Sequence, residues 1–229
     1  MSGVAVVLLA AGSGTRVGAA VNKVLLPLGA GTVLGTSLTT ALSVEGASHL
    51  VIVVADGEQQ AVSDAVAPLL GDREAMLVIG GATRHQSERN ALRALAPAIE
   101  SGEVDVVAIH DAARPFATPE LYAGVVEAAR QHGGAIPAAP LAGLVTRDLQ
   151  PAQGELVGVQ TPQAFRAPEL LAAYAMAEES GDDFTDTAGT VERYADVHVA
   201  AVPSSALNFK VTFAEDVALA QRLLSLGER

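Results

Sequence analysis

Two short stretches of this sequence carry residues that could do chemistry together. The first, Ala10-Ala11-Gly12-Ser13-Gly14-Thr15-Arg16-Val17-Gly18, follows an apolar run. Small residues at the end of a first strand let backbone N–H groups approach a phosphate closely. The spacing is not that of a dinucleotide-binding turn. The third glycine comes one residue late, and no acid stands near Gly31–Gly35, where that motif needs one about 20 residues on. A Walker loop would end in Gly-Lys-Ser/Thr, which is absent. What stands out is two cations, Arg16 inside the loop and Lys23 seven residues later. A solvated loop with two ordinary surface charges is the plain alternative. In a chain this poor in lysine and arginine, clustered cations beside a glycine-rich turn favour anion binding.

The second stretch is His110-Asp111-Ala112-Ala113-Arg114-Pro115, at the end of the apolar run Val104–Ile109. An acid at the exit of a central parallel strand points into the ligand crevice of an α/β sheet. Beside a polyphosphate, such a carboxylate commonly holds Mg²⁺. Equally, Asp111 could cap the following turn. Alone the two readings balance, and the anion loop upstream tilts Asp111 towards metal. His110 reads as structural, because nothing else suggests a histidine-based nucleophile system. No Gly-x-Ser-x-Gly elbow occurs, and the five histidines are scattered without zinc spacing. With no cysteine, thiolate metal sites, disulfides and cysteine nucleophiles are excluded.

The elements that must position these residues alternate. Short Val/Ile-rich runs at Val4–Leu9, Leu50–Val54, Met76–Ile79, Val104–Ile109 and Ala135–Ala138 predict strands. Between them lie stretches of helical length: Val33–Leu42, Glu58–Leu70, Arg84–Leu95 and Pro119–Gln131. This predicts an α/β fold, a mostly parallel sheet with helices on both faces. The runs lack polar alternation, as buried parallel strands should. Regularity fails between Pro140 and Gln163, which reads as a protruding arm or long hairpin. A helix near Pro168–Glu178, another from about Asp186, a strand at Val197–Val202 and a closing helix follow. Thr212-Phe-Ala-Glu215 fits a capping box for the last. There is no interdomain linker, so residues 1–229 are read as one domain.

Composition narrows the function classes. The 229 residues are 50% hydrophobic and 17% charged, enough for a sizeable core. The net charge of −12 argues against a nucleic-acid footprint. Any anionic ligand must be held by a few placed cations against an unfavourable field. The longest apolar stretch is too short to span a bilayer, and the N-terminus lacks signal-peptide features. A cytoplasmic protein with no membrane partner is expected.

Three segments together resemble the 2-C-methyl-D-erythritol 4-phosphate cytidylyltransferases. They are Leu9-Ala-Ala-Gly-Ser-Gly-Thr-Arg16 with Asn22-Lys23, then His110-Asp-Ala-Ala-Arg-Pro115, then Phe209-Lys210-Val-Thr212. Gly80-Gly81, Arg84, Ser87, Gln160-Thr-Pro-Gln163 and Thr185-Asp186 support the match. The resemblance implies a Rossmann-like fold of the GT-A nucleotidylyltransferase type. It implies an enzyme that joins CTP to a polyol phosphate with Mg²⁺, releasing pyrophosphate. Arg16, Lys23 and Lys210 would be catalytic, stabilising charge on the phosphates. Ala10, Ala11, Gly12, Ser13, Gly14, Gly81, Ser87 and Ala112 would hold the nucleotide. Asp111 would stand by the metal and the acceptor, which Arg114, Thr161 and Thr185 would also contact. The resemblance further implies a homodimer formed through the arm, with Arg114 supplied across it.

The arm departs from the pattern. The family's arm opens Pro-x-x-Asp-Thr-x-Lys, whereas this one reads Pro140-Leu-Ala-Gly143-Leu144-Val-Thr146. No Arg or Lys stands between Asp148 and Gln163, where the family has an arginine. Two other readings therefore stay open: transfer to another polyol phosphate such as ribitol 5-phosphate, or a nucleotide-binding paralogue without turnover. The second leaves unexplained why Arg16, Lys23, Asp111 and Lys210 are all present.

Overall fold

A computed structural model describes residues 3–12, 22–141, 144, 146–148, 150, 154 and 156–227. The chain opens with strand β1 (Gly3–Leu9) and, after a single 3-10 turn at Lys23–Leu25, a small hairpin, β2 (Pro27–Leu28) and β3 (Gly31–Thr32). Then come α1 (Val33–Leu42), β4 (Ala47–Val54), α2 (Gln59–Leu70), β5 (Met76–Ile79), α3 (Arg84–Glu100), β6 (Val104–Asp111) and α4 (Pro119–His132). The second half has β7 (Gly133–Pro140), β8 (Val157–Val159), β9 (Gln163–Arg166), α5 (Ala167–Ser180), α6 (Thr187–Tyr194), β10 (His198–Pro203) and α7 (Ala214–Ser225).

The main sheet runs β5-β4-β1-β6-β9-β7-β10, with β8 pairing to β7. β5, β4, β1 and β6 are mutually parallel, as are β7 and β10. β9 runs antiparallel between β6 and β7, joining the two parallel blocks. The expected mostly parallel sheet is present, and solved relatives share it (below). What the periodicity did not reveal is β9, whose four residues are too few to show a pattern. Strand pleat sends alternate residues to opposite faces. Val4, Val6 and Leu8 of β1 pack with Leu34 and Leu38 of α1 and Val125 of α4. Ala5 and Val7 pack on the other face with Leu92 and Leu95 of α3 and Leu170 of α5. Helices thus cover both faces, each burying one apolar stripe.

The connections send β4 and β5 to one side of β1 and β6 to the other. The order reverses between β1 and β6, and ligand crevices open at such points beyond the strand C-termini. Leu9 and Asp111, the last residues of the two strands, are register partners. Ala112 N–H donates to Leu9 O at 3.1 Å, extending the pairing into the loop. The arm leaves the sheet as the end of β7 paired with β8, Pro140 opposite Val157. Leu141 N–H continues the ladder to Leu156 O at 3.1 Å. The cap of α7 differs from the expected box. Phe213 is the N-cap residue, and Asp216 rather than Glu215 accepts from the backbone of Thr212 (2.7 Å) and Phe213 (2.8 Å). Thr212 instead donates its hydroxyl to Lys210 O at 3.1 Å.

Candidate active site

A cleft of ≈ 450 Å³ opens where β1 and β6 end. The chain has two lysines, Lys23 and Lys210, and both line it. So do Ala11, Gly12, Gly81, Ser87 and Asp111, seven of the residues singled out from the sequence. They arrive from five stretches of chain. Lys23 is carried by the 3-10 turn, whose N-cap Asn22 accepts from Val24 N–H at 3.3 Å. The Asn22 amide also donates to Ala10 O at 2.8 Å and to Glu58 Oε2 at 2.7 Å, tying the turn to the exit of β1. Lys23 is buried to 8% exposure.

The far wall is the loop from β5 into α3. Gly80 N–H donates to Val54 O at 2.8 Å, holding the loop against β4. A Cβ at Gly80 would stand 2.6 Å from the Ala11 Cβ and 2.9 Å from Ser87 Oγ. Only glycine allows the two loops to touch there. Ser87 Oγ in turn accepts from Gly81 N–H at 3.0 Å. Lys210 enters from the segment after β10, where Val211 N–H donates to Ala113 O at 2.8 Å.

Charge in the cleft centres on Asp111. Arg84 Nη1 donates to its Oδ1. Lys210 Nζ donates to Oδ2 at 2.6 Å, and Arg114 Nε stands 4.0 Å away. Burial alone would raise the Asp111 carboxyl, but the adjacent Arg84 and Lys210 charges outweigh it and hold the group well below the usual carboxylate range. Burial opposes the Arg84 charge too, yet Asp111 and Glu88 together keep its guanidinium above its ordinary value. One carboxylate thus fixes two cations at the mouth of a glycine-walled cleft. Cations so placed suit a polyphosphate, and they stand out in a chain of net charge −12.

The family model for 2-C-methyl-D-erythritol 4-phosphate cytidylyltransferase matches residues 4–226. The chain belongs to this family. A cytidylyltransferase of that name from Cereibacter sphaeroides is 36% identical over 97% of both chains. Another from Frankia casuarinae is 39% identical over 97% of this chain and 81% of its own. The bifunctional enzyme IspD/IspF of Clavibacter michiganensis is 40% identical over 96% of this chain. This chain spans 54% of the length of that bifunctional relative. Among solved structures, the 4-diphosphocytidyl-2C-methyl-D-erythritol synthase of Anaerococcus prevotii superposes with a TM-score of 0.82 at 26% identity. It covers 98% of this chain and 96% of its own. The cytidylyltransferase of Thermus thermophilus gives a TM-score of 0.73 at 27% identity, covering 96% of this chain and 98% of its own. The chain shares its Rossmann-like α/β fold with these two solved structures.

Other residues that the cytidylyltransferase resemblance singled out fall outside the cleft lining. Ala10 and Ala112 are buried behind it. Thr161 is buried, and its hydroxyl oxygen accepts from Asp111 N–H at 3.0 Å while lying 2.9 Å from His110 Nδ1. Arg114 Nη1 donates to Asn208 O of its own chain at 2.7 Å. Thr185 is exposed, two residues from Asp183, which accepts from Thr83 Oγ1 at 2.8 Å. Arg16, Ser13 and Gly14 lie outside the described residues, as does Gly143 of the arm. Asp111, expected beside Mg²⁺, is the one carboxylate among the described residues lining the cleft. Both its oxygens are engaged by cations, and no group of three or more acidic or histidine side chains able to hold a metal occurs among the described residues. That donor set does not fit a resident ion.

Two residues escaped the sequence reading. Arg84 supports the resemblance without a role of its own there, and nothing in the sequence sets Glu88 apart. Their i,i+4 spacing on α3 was the available signal, though it ordinarily marks a surface pair. Here Glu88 is buried, with Arg84 Nε 2.8 Å from its Oε1.

His110 is fully buried, and burial pushes its pKa down to about 4. Its Nε2 meets Arg114 O at 3.0 Å, an acceptor, so Nε2 carries the proton. Nδ1 then accepts from Thr161, whose oxygen accepts from Asp111 N–H. This directed chain pins the turn from Asp111 to Arg114 and keeps the imidazole neutral, in agreement with a structural histidine. The unfolded chain takes up a proton near pH 6.5 and the native one only near pH 4. The His110 contribution to stability therefore falls as pH drops through that window. For this one group it amounts to about 2 kcal/mol between pH 7 and pH 5. Urea unfolding at the two pH values should show it, and His110→Gln should flatten the difference. An unchanged slope in the variant removes the assignment.

Proposed function

We propose that the chain joins CTP to 2-C-methyl-D-erythritol 4-phosphate, giving 4-diphosphocytidyl-2-C-methyl-D-erythritol and pyrophosphate. The observation that carries this reading is the convergence of both lysines on the glycine-walled cleft around Asp111. An acceptor phosphate oxygen attacks the α-phosphorus of CTP, and pyrophosphate leaves in line. Two anions must meet, so the protein's work is charge neutralisation and alignment. Lys23 approaches the triphosphate from the turn after β1 and Lys210 from beside Asp111 at the end of β6. By sequence, Arg16 adds a third cation from the loop after β1. The backbone near Gly12 and Gly81, with Ser87, receives the nucleotide. Mg²⁺ belongs to the substrate, bound to the triphosphate. Residues 1–229 act as one domain.

The acceptor is the part most open to another answer. Leu144, where the family arm has threonine, is exposed on the arm. An apolar residue there leaves an acceptor hydroxyl unpaired, at about 1–3 kcal/mol per group. That favours, as a second reading, a different polyol phosphate. We also propose that the arm forms a homodimer. Leu141, Leu144, Leu156, Val157 and Val159 are exposed on it, and exposed apolar clusters mark association surfaces. Among the described residues no helix is long and apolar enough to cross a membrane. CTP as substrate points to the cytoplasm.

The test is pyrophosphate release from CTP and Mg²⁺ with methylerythritol phosphate and a panel of other polyol phosphates. Release with methylerythritol phosphate alone is expected. Release only with another acceptor selects the second reading. Silence with every acceptor, while CTP still binds by calorimetry, removes both.

A further inference from the structure

Glu88 is a carboxyl group enclosed by the fold that the proposed reaction does not use. It lies on the buried face of α3, at 1% exposure. One cation and two hydroxyl donors, from three helices, converge on it. Arg84 Nε of α3 lies 2.8 Å from Oε1, Thr187 Oγ1 of α6 donates to Oε1 at 3.1 Å, and Tyr174 Oη of α5 donates to Oε2. Tyr174 is itself fixed, stacked on His85 with ring centroids 4.5 Å apart. Burial raises the Glu88 carboxyl, and the Arg84 charge with both hydroxyl donors opposes that. A site so expensive to charge is not needed to close a core, since an apolar residue of similar size would fill it at no such cost. Its effect must lie in what it holds.

What it holds is Arg84. The Arg84 guanidinium lies between the two carboxylates, paired by charge with Glu88, its Nε 2.8 Å from Oε1, while Nη1 donates to Asp111 Oδ1. Asp111 offers its other oxygen to Lys210 Nζ at 2.6 Å. The line Glu88–Arg84–Asp111–Lys210 runs from the layer between α3, α5 and α6 to the mouth of the cleft. We propose that Glu88 is a positioning residue for cytidylyl transfer, setting the Arg84 guanidinium so that Asp111 holds the Lys210 ammonium at the reacting phosphates. The inference rests on the proposed reaction for the role of Lys210, and on the geometry alone for the line itself.

A purely structural Glu88 and a positioning one differ in coupling. Misplacing a catalytic group by about an ångström costs up to about 10²-fold in rate. Glu88→Gln should therefore lower kcat, per folded molecule, by about 10- to 100-fold. In a Lys210→Ala background the same change should add less than about twofold, because the group it positions is gone. Glu88→Asp should recover part of the loss. Tyr174→Phe keeps the stacked ring and removes one donor. It should give a smaller loss with the same coupling, and it serves if Glu88→Gln does not fold. A readout without turnover uses the two lysines. Brief acetylation with acetic anhydride, followed by mass spectrometry, gives the ratio of Lys210 to Lys23 modification. That ratio should rise several-fold in Glu88→Gln as Lys210 leaves Asp111. Losses that simply multiply with Lys210→Ala, or an unchanged acetylation ratio, overturn the proposal. An inactive wild type whose acetylation ratio still responds to Glu88→Gln would remove the proposed reaction and leave the positioning line standing.

Discussion

Lys210→Ala lowers kcat by about 10²–10³-fold and leaves the melting temperature nearly unchanged. Removing one preorganised group that stabilises transition-state charge typically has that effect on rate. The fold tolerates the change because Lys210 is partly exposed, its side chain at 36%, and because Asp111 keeps Arg84 as a partner. KM for CTP rises less than kcat falls, since the charge being neutralised grows as the pentacoordinate phosphorus forms. Lys23→Ala should lower kcat by a similar factor and, because Lys23 is buried, lower the melting temperature as well. Steady-state kinetics with calorimetry of CTP binding and thermal melts check both variants. Wild-type turnover in either one removes the mechanism.

Asp111→Asn has the opposite balance of effects: stability falls as well as rate. The carboxylate answers Arg84 and Lys210 at once, and its loss leaves two cations at the cleft without their shared partner. Breaking a buried charge pair costs about 3–5 kcal/mol. Both cations here keep some contact with water, so the lower end of that range applies. The pH dependence gives a separate check. Asp111 is held well below its ordinary value by Arg84 and Lys210, against burial. Its stabilisation is complete above the unfolded-state pKa, about 3.9, and is lost as pH falls below it. The acid limb below about pH 4 should therefore be shallower in Asp111→Asn than in wild type. Urea titrations at pH 7 and pH 3 measure both effects. A variant as stable as wild type at pH 7 contradicts the pairing.

The elements carrying the site were legible where local pattern and tertiary role coincide. β1 and β6 are apolar runs because both faces are buried, and their last residues, Leu9 and Asp111, line the cleft, whereas β5 is apolar at the half-exposed sheet edge. The positions of Lys23, Ser87, Asp111 and Lys210 follow from that. β9 was hidden because a four-residue antiparallel strand is defined by its neighbours, β6 and β7, rather than by its own sequence. The cap of α7 slipped by one residue because Glu215 and Asp216 both suit a first turn, and only geometry decides which reaches back. Glu88 was hidden for a related reason. Charged pairs four apart on a helix are usually solvated, and nothing local reports that Tyr174 and Thr187 close over it from α5 and α6. The bracing role of Thr161 was hidden as well, because its partners Asp111 and His110 lie some 50 residues earlier in the chain.

The pairing of Leu9 with Asp111 also bears on how the molecule is made. Two strands separated by α1, β4, α2, β5 and α3 must meet before the cleft has a floor, and Lys210 arrives from nearer the C-terminus. Closing such long loops costs chain entropy before any contact offsets it, so pairings of this kind form slowly. No early folding intermediate holding only the first half of the chain can contain the site. On a ribosome, catalytic competence would come only after the segment carrying Lys210 had emerged, and any nick that frees the β10–α7 segment would extinguish it in one step.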